Sequence, residues 1–298
     1  MLERTLAVSH PLDLGETLRP LWRGNNGPCS LFSEREVWRA TRTSEGPVTV
    51  RVKRTNDGVT ATAWGAGAQW SLQQLPQLLG ADDGPGSFRP EHPCLKDAAR
   101  RTRGLRMCKT LDVFEALIPT ILEQKVTGRE ARSSWRSLVR AHGEPAPGPA
   151  PLLLPPTPEI LADLPYFEFH PHGIEQKRAV AIKEVCRRAS KIREVAQMDS
   201  GAAARRLQAF KGIGPWTTGL ILQIVLGDPD AVILGDYHFP DQVAWALADE
   251  PRGTDERMLE LLAPYKGHRG RVVRILDAAG IRAPKFGPRA RIRNIAAI

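Results

Sequence analysis

"LQAFKGIGPWTTGLILQIVLGDPDAVILGDYHFP", residues 207–240, decides the fold. The residues leading into it, "ARRLQAF", place Leu207, Ala209 and Phe210 on an apolar helical face. "KGIGPW" cannot extend that helix. Gly212 and Gly214 suit a tight connection, and Pro215 suits the first turn of a new helix, where its missing N–H costs nothing. The spacing therefore predicts helix, hairpin, helix. The second helix, over 215–226, is almost wholly apolar and must be buried; it would be ~18 Å long. "GDPD" turns the chain, and residues 230–236, if extended, span roughly 20 Å. That is enough to bring Asp236 back beside the start of the buried helix. The free N–H groups at that start, next to Lys211, suit a phosphate. Asp236 also stands where it could cap the helix "YHFPDQVAWALA". A Gly-x-Gly between helices is a common helix end. The hairpin, the proline, the apolar helix and the returning acid together make a more specific constellation.

The rest of the chain bounds what this constellation belongs to. With 298 residues, 42% apolar and 25% charged, the composition is that of a soluble globular protein of one to three domains. No run approaches 18 uninterrupted apolar residues, so no membrane span is expected. The start, "MLERTLAVSHPLDL", has no apolar signal core, so a cytoplasmic location is expected. Cys29, Cys94, Cys108 and Cys186 form no CxxC pair, which disfavours a disulfide framework or a thiolate metal site. His170 and His172 are read as loop, and no metal site is expected. The net charge of +9 is uneven. Residues 265–298 hold nine Lys and Arg against the single acid Asp277, and the remainder is close to neutral. A basic C-terminal segment on a neutral body fits a polyanion partner, as it also fits a solubilising tail.

Residues 1–88 read as a β-rich α/β domain. "EVWRATRT", "PVTVRVKRT" and "VTATAWGA" alternate apolar and polar residues, with turn signals at Gly46-Pro47 and Asn56-Asp57-Gly58. "AQWSLQQLPQLLG" reads as a helix ending at Gly80, and "GADDGPGSFRPEHP" as a linker. Residues 89–298 read as helical, in two lobes with the basic segment at the end. Helices are expected over "TLDVFEALIPTILEQKV", "GREARSSWRSLVRAHG", "TPEILADL" with Thr157 as cap, "GIEQKRAVAIKEVCRRAS" and "DSGAAARRLQAF", and over 265–280. The fold class is α+β, mainly helical, with an N-terminal antiparallel sheet.

The hairpin stretch resembles the helix-hairpin-helix–GPD superfamily of DNA glycosylases, and most of all its 3-methyladenine DNA glycosylase II branch. "FEALIPTILEQKVTGREA" is similar to that family's helix before the DNA-probing loop. "LQAFKGIGPWTT" is similar to its hairpin, and "LGDYHFP" to its segment with the catalytic aspartate. The resemblance implies base excision from duplex DNA by a monomeric enzyme, with the damaged base flipped out of the helix. It implies Asp236 as the carboxylate that stabilises charge developing on the sugar. It implies a base pocket around Trp216, Leu220, Tyr237 and Asp277. Some relatives carry a tyrosine at the position of Leu220 and an aromatic ring near that of Asp277. The implied DNA-facing set is Lys211, Gly212, Gly214 and Thr217 at the hairpin, Gln124 and Lys125 in the probing loop, and His268, Arg269 and Arg271. Relatives that also cut the strand use a lysine where this chain has Trp216, so hydrolysis by water is implied. An alkylated purine is cationic and suits the face of a Trp216 ring. No cofactor is implied, apart from an optional monovalent cation at the hairpin. A different damaged base, such as hypoxanthine or uracil, and a non-catalytic DNA-binding role stay open at this point.

Overall fold

The computed structural model describes residues 1–8, 11–25 and 27–285; Arg289, Arg291 and Arg293 of the basic segment lie outside the described residues. Strands β1 (Leu2–Ala7), β2 (Ser30–Phe32), β3 (Glu36–Thr43), β4 (Gly46–Arg54) and β5 (Gly58–Trp64) form an antiparallel sheet in the order β1-β5-β4-β3-β2. The period-2 pattern sets its faces. Val48, Val50 and Val52 of β4 are buried with Val59, Ala61 and Ala63 of β5. On β3 and β5, Trp38 and Trp64 stack with ring centroids 5.4 Å apart. The edge strands β1 and β2 were not expected from the sequence; β1 has no fully buried residue to mark it.

The helices are α1 (Leu14–Leu18), α2 (Ala68–Leu78), α3 (Pro93–Arg101), α4 (Val113–Glu123), α5 (Gly128–His142), α6 (Pro158–Asp163) and α7 (Tyr166–Phe169). They continue with α8 (Gln176–Arg187), α9 (Ala189–Arg193), α10 (Ser200–Gln208), α11 (Pro215–Ile221), α12 (Phe239–Ala248), α13 (Asp255–Leu262) and α14 (Arg269–Ala278). Three differ from the sequence reading. Helix α4 starts only at Val113, because Asp112 takes extended backbone and accepts from the Glu115 N–H at 3.2 Å. The stretch over 173–190 breaks at Arg188, whose φ of −116° and ψ of 39° leave the helical region and separate α8 from α9. The hairpin's second helix is α-helical only to Ile221 and then widens into a π turn, Leu222–Leu226. His170–His172 forms one 3-10 turn rather than a loop, with His172 Nε2 3.3 Å from His142 Nε2.

One apolar core runs unbroken from the sheet and α2 into α4, α8, α10 and α11. A second core joins α3 to α12, α13 and α14. The chain thus crosses from the sheet domain into the second core with α3, then returns to the first with α4. Arg39 of β3 fixes the sheet to α4 through a two-pronged pair with Glu115, at 2.5 and 2.6 Å, and Thr41 Oγ1 donates to Asp112 at 2.5 Å. The consequence is a cleft where both cores and the region after α1 converge. Among the described residues, no helix is long and apolar enough to cross a membrane.

Candidate active site

The two hairpin glycines are there for different reasons. Gly212 has φ +89°, and a Cβ on it would stand 2.7 Å from Ala181 Cβ on α8. Only glycine fits. Gly214 has φ −99° and ψ −176°, extended backbone open to any residue, and a Cβ there would meet nothing within 4 Å. The sequence reading gave it the same conformational role as Gly212, and the structure corrects this. Lys211 is exposed at the tip.

Helix α11 lets the returning segment come close. A Cβ at the buried Gly219 would sit 2.8 Å from the Val232 carbonyl and 3.0 Å from Ile233 Cα. This contact carries the chain back along α11 to Asp236. Asp236 Oδ2 accepts from Trp216 Nε1–H at 2.9 Å. Its other oxygen accepts from the backbone N–H groups of His238 at 2.7 Å and Phe239 at 3.0 Å, at the start of α12. The aspartate therefore binds the backbone at the start of α12, whose N-cap is His238, and also meets the hairpin helix. Asp255 Oδ2 accepts the Gly235 N–H at 2.7 Å and holds the residue before it.

Phe239, whose backbone N–H binds this carboxylate, lines a cavity of about 210 Å³, far larger than the 10–15 Å³ or so that one water needs; Asp236 itself is not in its wall. Leu220, one turn beyond Trp216, lines it, as do Ile233 and Phe239. The wall also carries charge: Arg19 and Arg23 after α1, Glu123 at the end of α4, and Arg274 and Asp277 on α14. Of the pocket residues anticipated from sequence, Leu220 and Asp277 meet here. Trp216 is half-buried against Asp236 and is not part of the wall. Tyr237 is not in the pocket; it is 82% exposed, edge-on to His238. Sequence reasoning missed the arginines and Glu123. Glu123 precedes Gln124 in the quoted "ILEQK", but Arg19 and Arg23 belong to no motif and reach the cavity only through the tertiary fold. A second cleft, near Cys29 and Arg39, measures only about 20 Å³.

The probing loop is braced against the hairpin. Gln124 Nε2 donates to the Gly212 carbonyl and to Thr217 Oγ1, both at 2.9 Å. Thr217 is 1% exposed, so it supports Gln124 and does not reach outward. Lys125 follows, exposed and at φ +56°, a strained position for a lysine. The third expected DNA-facing group needs correction. Arg271 is 2% exposed and paired with buried Asp83, with its Nε 3.1 Å from His268 Nδ1. A guanidinium so enclosed cannot face a ligand. His268 is half-buried, held at 2.9 Å by Ser87 Oγ and packed on Phe88. Arg269 is bound by Asp230 at 2.6 and 2.9 Å. Burial pushes the Asp230 carboxyl up, but the bonds from Arg269 and from the Gly267 N–H outweigh it and hold the group below its ordinary value.

No family model matches the chain. It is 28% identical over 184 residues to the DNA-3-methyladenine glycosylase of Bacillus subtilis (strain 168), covering 58% of this chain and 59% of that protein. The chain thus spans about three fifths of that relative's length. The solved 3-methyladenine DNA-glycosylase from Archaeoglobus fulgidus aligns with a TM-score of 0.75 and 17% identity, over 94% of this chain and 99% of that one. The 8-oxoguanine glycosylase/lyase of Clostridium acetobutylicum, solved with double-stranded DNA, aligns with a TM-score of 0.69 and 14% identity, over 92% and 95%. The fold is that of the helix-hairpin-helix–GPD DNA glycosylases. Within that class, the sequence similarity is to the 3-methyladenine DNA glycosylase branch.

Proposed function

We propose that this chain is a monofunctional DNA glycosylase that hydrolyses the N-glycosidic bond of alkylated purines in duplex DNA. The observation that carries the reading is Asp236, its carboxylate fixed by three N–H donors, one of them the backbone N–H of Phe239, whose residue lines the 210 Å³ cavity. Breaking the bond leaves positive charge on the sugar, and a carboxylate held in place stabilises that charge without reorganising. The base leaves with the bonding electrons, and water adds to the sugar carbon and gives up one proton to bulk solvent. An alkylated purine is already cationic and so departs neutral, with no general acid required. The amine that would make the enzyme a strand-cutting lyase is absent from the Trp216 position.

Gly214 supports a nucleic-acid partner. A Cβ there would meet nothing within 4 Å, so the backbone is open on that side, where a strand phosphate would approach the N–H groups next to Lys211. Lys125 stands on the braced loop where it would enter the gap left by a flipped base, its stem filling space and its ammonium reaching a phosphate. The Phe210 and Gly212 carbonyls each accept one bond already, so a monovalent cation at the hairpin would use their second lone pairs.

The test is incubation of the protein with methylated duplex DNA, followed by alkali to cut at abasic sites. Alkali-dependent breaks are expected. Tight duplex binding without breaks would leave the rival reading, a DNA-binding protein that does no chemistry.

A further inference from the structure

The cavity wall contains charges that the protein leaves unspent. Among the described residues, Glu123 has no hydrogen-bond or ion-pair partner, although Arg19, Arg23 and Arg274 line the same cavity. Arg274 gives one Nη2–H to the Glu16 carbonyl at 2.9 Å, which aims the guanidinium and leaves its other donors free. The other groups are committed elsewhere. Arg23 donates to the Pro20 and Trp22 carbonyls, Arg19 lies 4.4 Å over the Trp22 ring, and Asp277 pairs with Arg282 at 2.8 Å. A half-buried carboxylate and a guanidinium that share a cavity without meeting are placed for something between them.

The geometry points to a pocket that selects alkylated guanine over alkylated adenine, with Glu123 and Arg274 as the specificity-determining pair; this rests on the glycosylase reading above. The argument is a matching of donors and acceptors. Guanine presents an acceptor, O6, next to two donors, N1–H and the exocyclic N2–H. A guanidinium satisfies the first, and a carboxylate accepts from the other two. Adenine reverses the edge. Its N6–H₂ would point donor to donor at Arg274, and its N1 lone pair would face Glu123, acceptor to acceptor. Buried groups left unpaired in this way are what gives a polar site its power to reject. The carboxylate also suits the positive charge of an N7-alkylated guanine. Phe239 is the sole aromatic side chain among the lining residues, so stacking cannot dominate selection.

DNA methylated with dimethyl sulfate carries both 7-methylguanine and 3-methyladenine, and the bases released can be resolved by chromatography. With each release normalised to its spontaneous rate, wild type should favour 7-methylguanine by at least about tenfold, the scale of one good bidentate contact. Glu123→Ala and, separately, Arg274→Gln should lower that ratio by a similar factor. An unchanged ratio in both variants, or a wild type that releases the two bases equally, overturns the assignment. If wild type releases neither base, the enzyme reading fails, and calorimetric titration with free 7-methylguanine and free 3-methyladenine decides the pocket. Selective binding of the guanine upholds it; equal binding or none overturns it.

Discussion

Trp216 and Asp236, twenty positions apart, are joined by a 2.9 Å hydrogen bond from the indole N–H to the carboxylate. The same carboxylate holds the start of α12 through its other oxygen, so its orientation is set from two elements at once. Asp236→Asn keeps the shape and removes the charge. Single-turnover excision should fall by roughly 10²–10³, while duplex affinity stays near wild type. An Asn variant that excises normally would remove Asp236 from the chemistry.

Trp216 also rules on the fate of the strand. Trp216→Phe keeps a ring and loses the N–H, so excision should decline less than in Asp236→Asn. The wild-type product should be an unbroken strand with an abasic site. Borohydride added during turnover should trap no covalent complex; a trapped complex would mean that a lysine elsewhere attacks the sugar.

The hairpin glycines separate folding from binding. Gly212→Ala forces an alanine to φ +89° and against Ala181, so thermal stability should drop. Gly214→Ala meets nothing within the protein and should melt like wild type, yet bind duplex DNA more weakly, damaged or not, since phosphate contacts position rather than specify. Equal melting and equal affinity in Gly214→Ala would show that no strand approaches there.

The sequence disclosed the elements whose signal is local. Turn residues and alternation marked β3, β4 and β5, and the hairpin with its returning aspartate was legible because glycine, proline and an unbroken apolar run leave few alternatives. The cavity was not legible. Its wall is assembled from the region after α1, the end of α4 and one face of α14, and no local pattern tells an arginine that lines a pocket from one in solvent. Arg271 misled for the same reason. In a basic segment it reads as a surface charge, and only the fold brings Asp83, 188 residues away, against it. The π turn after Ile221 had no signal either, because its residues are as apolar as a buried α-helix requires.

Arg271 and the exposed lysines should behave oppositely. Arg271→Met leaves Asp83 buried without its partner, a change that costs about 3–5 kcal/mol in stability. The dependence of DNA affinity on salt should stay as in wild type. Replacing Lys125 and Lys211 together with Ala should leave stability unchanged and flatten the slope of log K against log salt by up to about 2 units. A slope that changes in Arg271→Met at a temperature where the variant is folded would return that arginine to the DNA interface.

Asp112 ties stability to pH. Burial, with the Glu115 charge adding to it, raises its carboxyl from 3.8 to about 6 against the opposing pull of Arg39 and the Thr41 hydroxyl. The folded chain therefore keeps a proton on Asp112 in a range where the unfolded chain has lost it. Between about pH 4 and 6 the folded state binds more protons, so this group lowers stability as pH rises, and its full penalty is present above pH 6. Asp112→Asn cannot ionise, yet its amide oxygen can still accept from the Glu115 N–H and cap α4. Urea denaturation of both proteins at pH 4, 5, 6 and 7 should show the variant gaining on wild type across the window, by on the order of 3 kcal/mol at most. A stability difference that stays flat with pH would place the Asp112 titration at its ordinary value, and Asp112 would then accept from Thr41 as a carboxylate throughout.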